Sequence, residues 1–182
     1  ALRVRADFEP AVQNAVMLLR EMRQISKART LLEQGVRANP KSLRLKNLLA
    51  SIMIAQGRLK RAEKMSLSVL RQAEKNVEAM LNLGTIYYRQ KKFELVSFAA
   101  NNAIKIDPKN SRAYTLLGFV HLQNDDRRKA LHAFRQAADN APHSPFVLLN
   151  VSGLLRTQGD AQSALQYIEQ AAKMRPQNAD IR

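Results

Sequence analysis

The sequence predicts an all-α chain built as five helix–turn–helix repeats, and three observations carry that expectation. Pro108, Pro142 and Pro176 stand 34 residues apart, and two further steps back pass Glu74 and reach Pro40. With each unit closing two residues after its timing position, the repeats are 9–42, 43–76, 77–110, 111–144 and 145–178. Small residues then fall into register. The eighth position reads Val16, Ala50, Gly84, Gly118 and Ser152, and the twentieth Ala28, Ala62, Val96, Ala130 and Ala164. The twenty-seventh reads Gly35, Val69, Ala103, Ala137 and Ala171. Small side chains at a helix crossing let two backbones approach closely. The third observation is helical spacing inside a unit: Met80, Leu83 and Tyr87, then Phe93, Val96, Ala100, Ala103 and Ile104. No segment alternates with period two long enough to make a strand.

The elements follow in order. Each unit holds a first helix carrying larger residues at the seventh position (Ala15, Leu49, Leu83, Leu117, Val151) and the eleventh (Leu19, Met53, Tyr87, His121, Leu155). Alternation of large and small residues is what interdigitated packing requires. A turn separates it from the second helix, at Gly57 in the second unit, Gln90-Lys91-Lys92 in the third, Asp125-Asp126 in the fourth and Gly159 in the fifth. Glycine there can end a helix in left-handed geometry with little strain, and Asp126 can cap the helix that follows. Asn39-Pro40 and Asp107-Pro108 stop the second helices, because proline disfavours helical geometry in the residue before it. In the third unit Val96 replaces the usual small residue and Ala100 the usual large one, a swap that conserves volume.

These residues resemble the tetratricopeptide repeat consensus. The third unit carries it through Asn82-Leu83-Gly84, Tyr87-Tyr88 and Asp107-Pro108, and the fourth through Tyr114, Leu117-Gly118, Ala130, Phe134, Ala137 and Pro142. The fifth carries it through Gly159-Asp160, Ala164, Ala171 and Pro176; the first two are looser, with Lys46, Ser66 and Glu74 at off-pattern positions. The resemblance implies a right-handed superhelical solenoid forming a single domain over residues 1–182. The chain opens on Ala1 and stops at Asp180-Ile181-Arg182, and is expected to be a fragment of a longer protein. Residues 76–89 and Gly118-Phe119-Val120 are also similar to envelope tetratricopeptide proteins tied to bacterial gliding motility. That likeness favours the periplasm or cell envelope over the cytoplasm, within a multi-protein assembly.

The family resemblance implies that the first helices line a concave groove for a protein or peptide. The expected contact residues are Leu81, Asn82, Thr85, Tyr88 and Arg89 in the third unit and Arg112, Thr115, Phe119 and Leu122 in the fourth. In the fifth they are Phe146, Leu149, Asn150 and Arg156. Aromatic side chains give contact area at low entropic cost and arginine can clamp a carboxylate. Gripping of acidic chaperone tails is not expected: Arg44, Asn82 and Arg112 fit that pattern, but Leu48 and Leu116 break it.

Charge adds a second face. The net charge is +15, and residues 1–75 hold 16 basic against 6 acidic groups, a net of +10. Lys60, Arg61, Lys64 and Arg71 fall on the outward phase of one helix, a basic convex patch suited to an acidic protein. The alternative function is a basic module that holds nucleic acid or anionic lipid by that face; nucleic acid is the less favoured because no stacking platform or recognition helix accompanies the charge. Leu95 and Phe98 interrupt the basic pattern three residues apart and form a possible apolar contact, with a second copy or a neighbouring domain. Catalysis is not expected. His121, His132 and His143 lack metal-pair spacing, no phosphate loop occurs, and no metal or cofactor is called for. There is no cysteine, and no apolar run approaches the roughly 20 residues of a membrane span.

Overall fold

The computed structural model describes residues 8–174. Pro176 and the Asp180–Arg182 stretch lie outside the described residues. The described chain is all α, with ten helices in five helix–turn–helix units. The first helices of the units are α1 (Glu9–Glu21), α3 (Leu43–Ala55), α5 (Val77–Arg89), α7 (Ser111–Gln123) and α9 (Pro145–Thr157). The second helices are α2 (Ile25–Ala38), α4 (Leu59–Gln72), α6 (Phe93–Ile106), α8 (Arg127–Asn140) and α10 (Ala161–Lys173). Every helix start recurs at the interval that the prolines mark.

The same local chemistry begins the helices in successive units. The Ser42 hydroxyl accepts from the Leu45 amide, and Asn76 and Asn110 accept from Ala79 and Ala113 in the same way. Each satisfies one of the donors that a helix start leaves open. Asp126 caps α8 through the Lys129 amide and Asp160 caps α10 through the Ser163 amide. Between the two helices of every unit, position fifteen takes positive φ: Arg23 at 57°, Gly57 at 74°, Lys91 at 60°, Asp125 at 55° and Gly159 at 82°. The turn geometry is therefore constant, although only two units supply glycine.

Contacts divide the chain into two compact units, Ala1–Gln90 and Lys91–Arg182. In the first, α1 to α4 each pack on the helix that follows, and α5 lies on both α4 and α3. Its core gathers Val12, Val16, Leu32, Leu45, Leu49, Ile52 and Ile86, with Ala28 and Ala62 at the crossings. In the second, α6 to α9 each pack on the helix that follows. Its core is built from Phe134, Leu148, Val151 and Leu155 with Ala130, Ala137, Ala164 and Ala171. The eighth, twentieth and twenty-seventh positions are buried in all five repeats. In the third repeat Val96 and Ala100 are both fully enclosed, as the volume swap requires.

Gly118 shows what the small positions do. A Cβ built there would lie 2.8 Å from Cε2 and Cζ of Phe134, whose ring is fully buried. Gly118→Ala should therefore lower stability by about 1–3 kcal/mol despite the better helix propensity of alanine. Chemical denaturation of the cycle with Phe134→Leu should show that the two losses do not add. Additive losses would mean that the ring is not what excludes the methyl group.

The two aspartate caps also titrate. Hydrogen bonding to Lys129 holds the Asp126 carboxyl below the usual range, and hydrogen bonding to Ser163 does the same for Asp160. A carboxyl lowered in the fold contributes stability above its unfolded pKa and loses it as pH falls through the folded value. Asp126→Asn with Asp160→Asn keeps a capping side chain without the charge. That variant should lose melting temperature less steeply than the parent between about pH 6 and pH 3; identical slopes would refute the assignment.

Candidate functional site

In the first compact unit the inner positions of α5 are occupied by packing and hydrogen bonds. Leu81, expected to line a groove, is 0% exposed, enclosed where α5 lies on α3 and α4. Asn82 is also buried; its side-chain amide donates to the Asn47 carbonyl at 3.1 Å. Asn47 in turn donates to Asn76 Oδ1 at 2.9 Å, the oxygen that caps α5. The three asparagines thus tie α3, the turn and α5 together, and the Asn82 amide, expected as a contact residue, is spent inside the fold. Sequence reasoning missed this network, although Asn47 and Asn82 sit at adjacent repeat positions. Arg89 remains exposed but spends a donor on the Ile54 carbonyl at the end of α3, at 2.7 Å. Thr85 turns its hydroxyl back to the Leu81 carbonyl at 2.8 Å, and Tyr88 is half-buried.

The second compact unit leaves the equivalent surface open. Phe134 in the core meets the half-buried Phe119 edge-on, with ring centroids 5.2 Å apart. Phe119 meets Phe146 at 5.9 Å and a tilt of 47°. Phe146 is 58% exposed and Leu149, one turn on, is 48% exposed. A ladder of rings therefore runs from the interior to the surface of α7 and α9 and holds the outermost ring in place. Beyond it, Leu122 of α7 and Leu149, Asn150, Gly153, Leu154 and Thr157 of α9 line an open pocket of about 400 Å³, with Asp125 and Arg127 at its rim. Arg112 and Arg156 are exposed on these two helices. Thr115 and Asn150 each bond to a carbonyl one turn earlier in their own helix, Ser111 at 2.8 Å and Phe146 at 2.7 Å. The structure brings Phe119, Leu122, Phe146, Leu149 and Asn150 together; Gly153 and Thr157 complete the set.

The comparisons with known proteins agree with this geometry. Tetratricopeptide repeat profiles match residues 19–71, 77–110 and 115–179. The chain belongs to the tetratricopeptide repeat family. TTC0263, a thermophilic TPR protein of Thermus thermophilus, superposes with a TM-score of 0.82 at 19% identity, over 94% of each chain. PilF of Pseudomonas aeruginosa gives a TM-score of 0.74 at 23% identity, over 96% of this chain and 78% of that one. At such identities the likeness is one of fold. The Homo sapiens protein O-mannosyl-transferase TMTC1 is 24% identical over 148 residues, 79% of this chain and 17% of its own. The photosystem I assembly protein Ycf3 of Rippkaea orientalis is 31% identical over 88 residues, 40% of this chain and 50% of its own. The matched stretch therefore spans half of the second relative and far less of the first.

Tetratricopeptide repeats are scaffolds that bind proteins and peptides along their stacked helices, and this chain is a scaffold of that kind. Among the described residues no group of three or more His, Cys, Asp or Glu side chains could hold a metal ion, and no helix is long and apolar enough to cross a membrane. His121, placed by phase in the core row, is half-buried; His132 is exposed.

On the outer surface, Lys60, Arg61, Lys64 and Arg71 are all exposed along α4, opposite the buried Ala62, Ser66 and Val69. Leu95 and Phe98 are 43% and 69% exposed on α6. The swap at Val96 and Ala100 therefore leaves both on the surface, with Leu95 beside Lys91 and Lys92 at the mouth of an open hollow.

Asn82 gives the sharpest separation of structure from recognition. Asn82→Ala is expected to lower stability by about 1–3 kcal/mol through loss of the buried bond to Asn47, read as a fall in melting temperature. An unchanged melting temperature would return Asn82 to the list of contact residues.

Proposed function

We propose that this chain grips an extended or helical segment of an acidic partner protein along the exposed surface of α7 and α9, within a multi-protein assembly. One observation carries the reading. Phe146 and Leu149 stay exposed while the ring ladder through Phe119 fixes their surroundings. A large apolar side chain held rigidly at the surface beside arginine has the chemistry of an interface anchor. Arg112, Thr115 and Arg156 belong to the same candidate surface of the second unit, and Thr85, Tyr88 and Arg89 are a separate candidate set on α5 of the first. The bacterial envelope, with a motility machine as one setting, is the compartment favoured by the resemblance of residues 76–89. The pair Leu95 and Phe98 is assigned to a neighbouring domain or a second copy of the chain.

A second reading rests on the exposed row Lys60, Arg61, Lys64 and Arg71, which suits anionic lipid or nucleic acid through phosphate contacts. Salt divides the two. Binding through apolar anchors persists at moderate ionic strength, whereas binding through phosphates falls steeply with it.

The test is affinity capture with this chain as bait, followed by titration of the retained partner. Phe146→Ala with Leu149→Ala should weaken retention at least about tenfold, with the melting temperature unchanged within about 2 °C. Equal retention would overturn the groove reading. Reversal of Lys60, Arg61 and Lys64 to glutamate should slow association at low salt and leave dissociation unaltered, because exposed charges steer encounter more than they hold the complex. Identical association rates would leave the row as a solvated face.

A further inference from the structure

Two faces of this chain lack the neighbour that their equivalents have. Each of α2, α4, α6 and α8 packs on the first helix that follows it. Position ten of a first helix looks toward that preceding partner: Val120 lines a hollow with Phe93 and Leu95 of α6. Ile52, Ile86, Val120 and Leu154 are buried at this position, whereas Leu18 of α1 is 53% exposed. The second helices show the converse. At position twenty-four Leu32, Ser66, Ala100 and Phe134 are fully enclosed, whereas Ile168 of α10 is 43% exposed. At position twenty-eight Ala138 shares a hollow with Leu148 of the following α9, whereas Ala172 is exposed.

A change of sequence accompanies the change of exposure. Phe8 stands where Ser42, Asn76 and Asn110 cap the later first helices, and Met22 stands where those helices are followed by Gln56, Gln90, Asn124 and Gln158. Phe8, Ala11, Ala15, Leu18 and Met22 thereby form one stripe on α1, at alternating steps of three and four residues, and Phe8 and Met22 are exposed like Leu18. On α10, Ala161, Leu165, Ile168 and Ala172 form another, with the exposed Leu165 in the place of Arg29, Glu63 and Ser97. Steps of three and four are the spacing of a seam between two helices. A repeat array stays soluble when its end helices turn a polar face outward. The first and last described helices turn apolar seams outward instead.

We propose that the α1 stripe of one copy of the chain docks on the α10 stripe of another, head to tail. A second copy is the occupant because the two stripes are the two halves of a contact that the chain already makes within itself, where α2 meets α3, α4 meets α5, α6 meets α7 and α8 meets α9. The contact is heterologous, since its halves lie on different helices. A copy engaged at one face keeps the other free, and mass grows beyond the dimer. The net charge of +15 opposes the approach of two copies, and salt relieves that repulsion without weakening apolar burial. The inference is independent of the groove reading, because it uses no residue of the contact surface on α7 and α9.

Sedimentation equilibrium of the 182-residue chain reads the contact. Between about 1 and 300 μM the average mass should rise past that of a dimer. Association should strengthen as salt goes from about 0.05 to 0.5 M. Leu18→Glu with Met22→Glu blocks one face, and Leu165→Glu with Ile168→Glu blocks the other. Each pair should weaken self-association at least about tenfold while keeping a cooperative melt. Where a pair lowers the melting temperature by more than about 5 °C, the single change Met22→Glu or Leu165→Glu takes its place. The two blocked variants still carry one complementary face each. Alone, each should stay monomeric; mixed in equal amounts, they should form a one-to-one dimer and nothing larger. A parent that stays monomeric or saturates at a dimer, blocked variants that associate as the parent does, or a mixture that stays monomeric would each overturn the head-to-tail contact.

Discussion

Everything in this chain depends on how closely two helices approach at the small positions of each repeat. Helices with full side chains at a crossing sit about 8–10 Å apart, and the lower figure needs alanine, glycine or serine at the contact. Gly118 against Phe134 is the tightest described case, with no room for one methyl group. That contact sets more than local density. It seats Phe134, Phe134 fixes Phe119 edge-on, and Phe119 positions the exposed Phe146. A constraint in the core of the second unit thus determines the posture of a ring at its surface.

The two compact units use one pattern for different ends. Around α5, inner positions are committed to cohesion: Leu81 is packed, Asn82 bonds to the Asn47 carbonyl, and Arg89 bonds to the Ile54 carbonyl. Around α9 the equivalent positions face outward, and the side-chain bonds that form are local. Asn150 turns back to Phe146 of its own helix and Thr157 to Leu154. Backbone carbonyls bound by neighbouring side chains stiffen one unit. The other keeps apolar area exposed beside arginine-bearing helix faces.

Charge contributes little to cohesion. Exposed ion pairs such as Arg127–Asp125 at 3.4 Å add little to stability, and Arg29–Glu33 at 3.4 Å is half-buried. The aspartate caps act through hydrogen bonds from helix-start amides, Lys129 to Asp126 and Ser163 to Asp160. The excess of +15 has no internal use on this scale. It gives the surface a net positive potential.

The sequence by itself determined the helices and their register. A 34-residue interval, a helical apolar period and small residues at fixed positions are properties of chain distance and side-chain volume, and both are written in the sequence. Turn geometry was only half legible. Gly57 and Gly159 announce left-handed backbone, whereas Arg23, Lys91 and Asp125 adopt it because the packed helices on either side leave no other path. The contact surface was least legible. Leu81-Asn82 and Leu149-Asn150 are the same dipeptide at the same repeat position, yet Leu81 is 0% and Leu149 48% exposed. Tertiary structure decided between them. Exposure belongs to what lies across from a side chain, and α5 has α3 and α4 against it, while Leu149 lies at the edge of an open pocket.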